Sequence, residues 1–449
     1  MEKTDVLVIG GSASGIVAAV TGKTNYPDKD FTLIRKEKHV VVPCGIPYIF
    51  GSLDSTEKNL IPDTSLNNAG VKIKIDEAIS INRKDKICKT SDGTEIKYDK
   101  LIFATGSQPR VPKWLKGANL ENVFTIPKDK NYLDNILSII KNMKKVVVIG
   151  GGFIGVEVSD ELSKTNKEVT IVEILPHILS LAFDEDAAIK AEEVLKSKGV
   201  NVVTGAGVKE IIGDNKVSGV LLDNGKKIDA DAVILSMGYA PNISLAKSID
   251  LQINERGFIK VDEYMRTEDN DIFAVGDCAE KKDFVTRKTS GIMLASTACA
   301  EARIAGMNLY KLNAVKTFSG TIAIFSTMIG DTGFGVAGLT ENMAKNEGFN
   351  YVCGTFEGID KHPGSLPNTS KQTVKLVAAQ ECGLLLGGEV IGGSSIGELT
   401  NIIGLAIQNK MTINSILTAQ IGTHPLVTAP PTAYPLIKAA EIISKKIKS

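Results

Sequence analysis

The chain has 449 residues, room for about three domains at roughly 150 residues each. Hydrophobic residues make up 43% and charged residues 23%, a globular composition that excludes a disordered or fibrous chain. Lys plus Arg and Asp plus Glu number 52 each, and the resulting zero net charge removes the general electrostatic footprint of a nucleic-acid binder.

In chain order, the N-terminus passes directly into an apolar run at residues 5–9 (DVLVI), which speaks against a secretory leader. Glycines follow at 10–15, then a helical pattern and a second strand at 31–34. Residues 77–106 read as a small meander ending in a strand at 101–103, and the proline-containing stretch 108–116 reads as a linker. A second strand–glycine–helix–strand unit begins at 145–149 (KVVVI) and returns at 168–172. Strands at 232–237 and 271–275, then a helix over 290–310, complete this α/β alternation. From about residue 318 the texture changes to strands with glycine turns, followed by helices over 397–409 and 435–448. No stretch reaches the 18 or more apolar residues of a membrane-spanning helix. The six cysteines show neither a CxxC pair nor a metal-like cluster with histidine, so no metal site is expected and a reducing, cytoplasmic setting is.

The second glycine run, Gly150-Gly151-Gly152-Phe153-Ile154-Gly155, fits GxGxxG between a strand and a helix. Gly150 permits the tight turn, Gly152 lets pyrophosphate approach the backbone, and Gly155 lets helix and strand pack closely. The phosphates would then sit at the helix N-terminus. Glu173, 23 residues after Gly150, stands where an acid would bind the adenosine ribose hydroxyls and repel a 2′-phosphate. NADH is therefore expected in preference to NADPH. In the first run Gly10 and Gly15 are in place but Ser12 replaces the middle glycine, and Arg35-Lys36 stands where the acid is expected.

Further fragments join these two. Ala104-Thr105-Gly106 follows one strand, and Gly276-Asp277 follows another. Together with GGSASG, VVVIGGGFIGVE, MGYAPN and IFAVGDCAE they resemble the flavin- and pyridine-nucleotide-dependent disulfide oxidoreductases over nearly the whole chain. The resemblance implies an α/β fold with two Rossmann-like domains and a C-terminal α+β dimerisation domain. FAD would occupy residues 1–112 and 243–322, with Asp277 on its ribityl chain. NADH would occupy residues 113–242, and residues 323–449 would form a homodimer interface. Glu157, on the helix after Gly155, would lie near the flavin–nicotinamide junction.

The redox centre selects the branch. Where two-cysteine relatives carry CxxxxC, this chain has Pro43-Cys44-Gly45-Ile46-Pro47-Tyr48 with a single cysteine. That is similar to the branch of coenzyme A-disulfide reductases, NAD(P)H polysulfide or persulfide reductases, NADH oxidases and NADH peroxidases. A lone cysteine can cycle through a mixed disulfide, a persulfide or a sulfenic acid. It would be expected as a thiolate of lowered pKa. Oxidase and peroxidase relatives carry a histidine where this chain has Ala13, and coenzyme A-disulfide reductases carry Ser and Asn where it has Val40 and Pro43. Gly422-Thr423-His424-Pro425 resembles the His-Pro of two-cysteine relatives, with Ala429 in place of the Glu that orients the histidine. His424 is thus a candidate proton donor, with Tyr434 as a weaker one. The resulting expectation is an NADH:disulfide or polysulfide oxidoreductase working through FAD and Cys44. The alternatives are an NADH oxidase and a flavoprotein electron donor to a protein partner.

Overall fold

The computed structural model describes residues 1–315 and 318–448. Its first sheet is parallel, in the order Ile272–Ala274, Lys100–Phe103, Val6–Ile9, Phe31–Arg35, Lys72–Ile75. Val6–Ile9 and Phe31–Arg35 are buried along their whole length, as apolar runs covered on both faces must be. The helices Ala13–Asn25 and Ala295–Met307 pack against each other beside this sheet. The meander expected over 77–106 forms as the antiparallel strands Ala78–Asn82, Ile87–Thr90 and Glu95–Lys97, with Lys100–Phe103 entering the parallel sheet instead.

The second parallel sheet repeats the pattern in the order Val123–Thr125, Ala232–Leu235, Lys145–Ile149, Glu168–Val172, Asn201–Val203. The stretch read as a linker is more ordered than its prolines suggest. Ser107–Pro109 pairs antiparallel with Tyr239–Pro241, so the chain's departure to the second sheet and its return from it run side by side. Thr105 and Asn242 reinforce this crossing: the Thr105 hydroxyl donates to Asn242 O at 2.6 Å, and Asn242 Nδ2 donates to Thr105 O at 2.9 Å.

The C-terminal part is a five-stranded antiparallel sheet running Phe325–Ile329, Thr332–Gly338, Leu385–Gly392, Lys371–Ala379, Tyr351–Ile359. The helices Ile396–Gln408 and Pro435–Lys448 lie on it. Small residues set the approach: a Cβ on Gly354 would stand 2.4 Å from Ala439 O, and one on Gly335 would stand 2.0 Å from the Thr400 hydroxyl.

Candidate functional site

The two glycine runs fold as twins. Gly10 and Gly150 have φ of +116° and +109°, a region L side chains rarely enter. A Cβ on Gly10 would lie 2.1 Å from Ala104 O, and one on Gly150 would lie 2.4 Å from Ser236 O. Gly15 and Gly155 each sit so close to the first glycine that a Cβ would be 1.9 Å from its carbonyl oxygen. Ser12 and Gly152 occupy the N-cap positions of Ala13–Asn25 and Phe153–Ser163, and neither helix has a side-chain cap. The first-turn N–H groups are therefore available to an anion, and a Cβ on Gly152 would meet nothing within 4 Å. Glu173 closes the second cradle, accepting from Gly151 N–H at 2.5 Å and Leu175 N–H at 2.8 Å.

Asp277 lies in the short turn Gly276–Cys278, at the C-terminal end of the first sheet. Gly276 lets this turn press on the first helix, where a Cβ would come within 2.6 Å of the Ser14 hydroxyl. The Asp277 carboxylate accepts from Ser107 Oγ at 2.7 Å and Lys128 Nζ at 2.9 Å. Burial works against its charge, but Lys128 and Ser107 outweigh it and hold the carboxyl below its ordinary value. Beneath it, Glu301 accepts from Gly276 N–H at 2.7 Å and faces the buried Lys281 ammonium at 3.5 Å. These two cradles, with their open helix ends and the fixed Asp277 carboxylate, fit a dinucleotide each.

Cys44 sits in the one-turn helix Pro43–Gly45 and reaches solvent. Gly45 lets this turn close onto Asn59, whose Nδ2 donates to Val42 O at 3.1 Å. The protein's own groups push the Cys44 thiol up, not down as the sequence suggested. Desolvation contributes most; Glu157, Asp277 and Cys299 add to it, and Lys128 opposes it. Glu157 is itself pushed up to about 7, chiefly by burial and further by Glu161 and Asp160, against a 2.8 Å hydrogen bond from Thr327. The neighbouring Tyr48 hydroxyl is pushed up to about 12 by burial and Glu157. Cys44, Glu157, Asp277 and Lys128 thus converge from both nucleotide units.

His424 lies elsewhere. It is exposed in a surface turn, where its N–H donates to the Thr428 hydroxyl at 2.9 Å and its Nδ1 accepts from Leu426 N–H at 3.3 Å. The turn rests on a second loop through His362, whose Nδ1 lies 3.0 Å from Thr428 O. Tyr434 is buried among apolar residues, which weakens it as a donor. Lys128, Thr327 and Glu161 were not found by sequence reasoning, because no motif marks them; Tyr48 lies inside the CGIPY segment and was within reach.

The family described as pyridine nucleotide-disulphide oxidoreductase matches residues 4–302, and its dimerisation domain matches residues 324–434. The chain belongs to this family. It is an FAD-dependent oxidoreductase that draws on a nicotinamide nucleotide. It is 30% identical to the NAD(P)H coenzyme A polysulfide/persulfide reductase of Pyrococcus horikoshii, over 98% of each chain. It is 29% identical to a NADH oxidase of Methanocaldococcus jannaschii, over 99% of each. Among solved structures, an NAD-dependent persulfide reductase from A. fulgidus matches with a TM-score of 0.91 and 29% identity, covering 99% of this chain and 84% of that one. Among the described residues no helix is long and apolar enough to cross a membrane.

Proposed function

We propose that the protein is an FAD-dependent NADH:disulfide or polysulfide oxidoreductase with Cys44 as its single redox-active sulfur. The observation that supports this is the solvent-reaching Cys44, whose thiol feels the charges of Glu157 from the second nucleotide unit and Asp277 from the first. Ser12, Gly10, Gly15 and Asp277 would hold FAD; Gly150, Gly152, Gly155 and Glu173 would hold NADH. Bound FAD supplies hydride acceptance from NADH and two-electron transfer to sulfur.

The chain's residues do the rest. Cys44, once deprotonated, attacks one sulfur of the acceptor; an S–S bond breaks, a mixed disulfide forms, and the departing thiolate takes a proton. Two electrons from NADH then cleave that mixed disulfide, giving back the Cys44 thiolate and releasing a second thiol. In total, NADH, one proton and RSSR become NAD⁺ and two RSH. The Lys128 ammonium favours the Cys44 thiolate, and Glu157 holds or yields a proton beside it. His424 of a second subunit would serve the departing thiolate. Six free cysteines support a reducing, cytoplasmic setting.

The M. jannaschii relative named a NADH oxidase favours oxygen as a second acceptor. Cys44→Ser separates the two. The variant should keep FAD and accept electrons from NADH, while turnover with polysulfide or disulfide falls by at least a hundredfold. Anaerobic NADH titration followed by coenzyme A disulfide, polysulfide, oxygen and peroxide as acceptors reads this out. Sulfur turnover unchanged in the variant would remove Cys44 from the reaction.

A further inference from the structure

The two cradles differ at one matched position. Gly10 N–H donates to Ile34 O at 2.9 Å and Gly150 N–H donates to Val172 O at 2.8 Å, so Arg35 and Glu173 occupy equivalent places. The glycines beside them agree: a Cβ on Gly11 would lie 2.4 Å from Arg35 Cδ, and one on Gly151 would lie 2.9 Å from Glu173 Cβ. Glu173 presents a carboxylate there, able to accept from ribose hydroxyls. A guanidinium has five donors and no acceptor, so Arg35 cannot do the same work.

Arg35 is also committed elsewhere. Its side chain is 2% exposed. Nη1 and Nη2 donate to the two oxygens of Asp63 at 2.6 and 2.7 Å, Nε donates to Glu37 O at 2.9 Å, and Nη2 donates to Lys38 O at 3.1 Å. The paired fork fixes the Asp63 carboxylate in one orientation. Asp63 is one-third exposed. It precedes the helix Thr64–Ala69 without capping it, and each of its oxygens keeps a lone pair beyond the bond to Arg35. Another segment of the chain thus sets a carboxylate against the guanidinium that occupies the position of Glu173.

We propose that Asp63, held in place by Arg35, is the carboxylate that accepts from the adenosine ribose hydroxyls of FAD. Asp63 is the binding residue and Arg35 its positioning residue. The proposal rests on FAD occupying the first nucleotide unit and is independent of the role of Cys44.

The test compares two flavins on the full-length protein stripped of its own: FAD, and an FAD analogue whose adenosine lacks both ribose hydroxyls. Quenching of flavin fluorescence gives the two dissociation constants. Wild-type protein should prefer FAD by tenfold or more, and equal affinities would overturn the proposal without recourse to any variant. The double variant Arg35→Leu, Asp63→Leu leaves no lone buried charge, so its fold is less at risk than that of either single variant. Its preference for FAD should fall to within about twofold, whereas a preference as large as wild type's would overturn the role of Asp63. Glu173→Ala should leave the ratio untouched. Failure of wild-type protein to bind FAD would overturn the FAD assignment and this proposal with it.

Discussion

Glu157 changes charge near pH 7, because burial and two neighbouring acids hold its proton. Below that pH it is neutral; above it, its negative charge opposes the Cys44 thiolate, which it already raises. Glu157→Gln removes this opposition. Alkylation of Cys44 by iodoacetamide, followed by mass spectrometry of its peptide, should therefore reach a given rate at lower pH in the variant. An unshifted profile would show that Glu157 does not act on the sulfur. Glu173 governs a different choice. A carboxylate facing a 2′-phosphate costs about 1–3 kcal/mol at close range in a partly buried site, a preference for NADH of about fivefold to 150-fold. Comparing kcat/KM for NADH and NADPH checks this, and Glu173→Ala should narrow the difference several-fold.

The helix Phe153–Ser163 shows what one element does with successive turns. Its open N-terminus faces the nucleotide cradle, and its acids three and four residues apart reach two other parts of the chain. Glu157 and Asp160 accept from Thr327 at 2.8 Å and Gly330 N–H at 3.0 Å in the C-terminal part. Glu161 accepts from Ser52 N–H at 2.5 Å and Ser52 Oγ at 3.0 Å, eight residues beyond Cys44. Phe153 stacks on Phe325 at 4.9 Å. Glu161→Ala removes the acceptor of the Ser52 N–H; Ser52 is exposed and water can take the place of the carboxylate, so the loss is that of one hydrogen bond, about 0.5–1.5 kcal/mol. Amide exchange around residues 47–53 should quicken, and the thermal midpoint should drop. Unchanged exchange there would show that Ser52 finds another partner.

The helix itself was legible, because Gly150, Gly152 and Gly155 encode a local turn whose chemistry travels with the sequence. Its acids were not. Glu161 meets Ser52 across 109 positions, and no local pattern encodes such a pairing. Cys44 stood out in the sequence for the same reason as the glycines, from a short segment. Its environment, which pushes the thiol up through desolvation first and through Glu157 and Asp277 after it, emerges only once the parts are assembled.

At the scale of the molecule, the exposed turn around His424 stands open. Leu426 and Val427 are 57% and 64% exposed, and this turn lies within the stretch that matches the family's dimerisation domain. If, as proposed, His424 of one subunit serves the partner's Cys44, a second copy covers this face and the two sites are equivalent about a two-fold axis. Pairing a Cys44→Ser subunit with a His424→Ala subunit tests it. One site would keep both groups, and activity near half of wild type is expected; none at all would place both residues in one chain's site. Because Ser107–Pro109 and Tyr239–Pro241 are hydrogen-bonded neighbours, the residues between them form a cassette whose two ends meet. The corresponding cassette of a relative that favours NADPH, cut at the same pair of strands, can be spliced in with the register preserved on both sides. Such a chimera would inherit a new coenzyme preference and keep Cys44 and Asp277, while the residues at positions 128 and 157 that act on Cys44 would come from the donor.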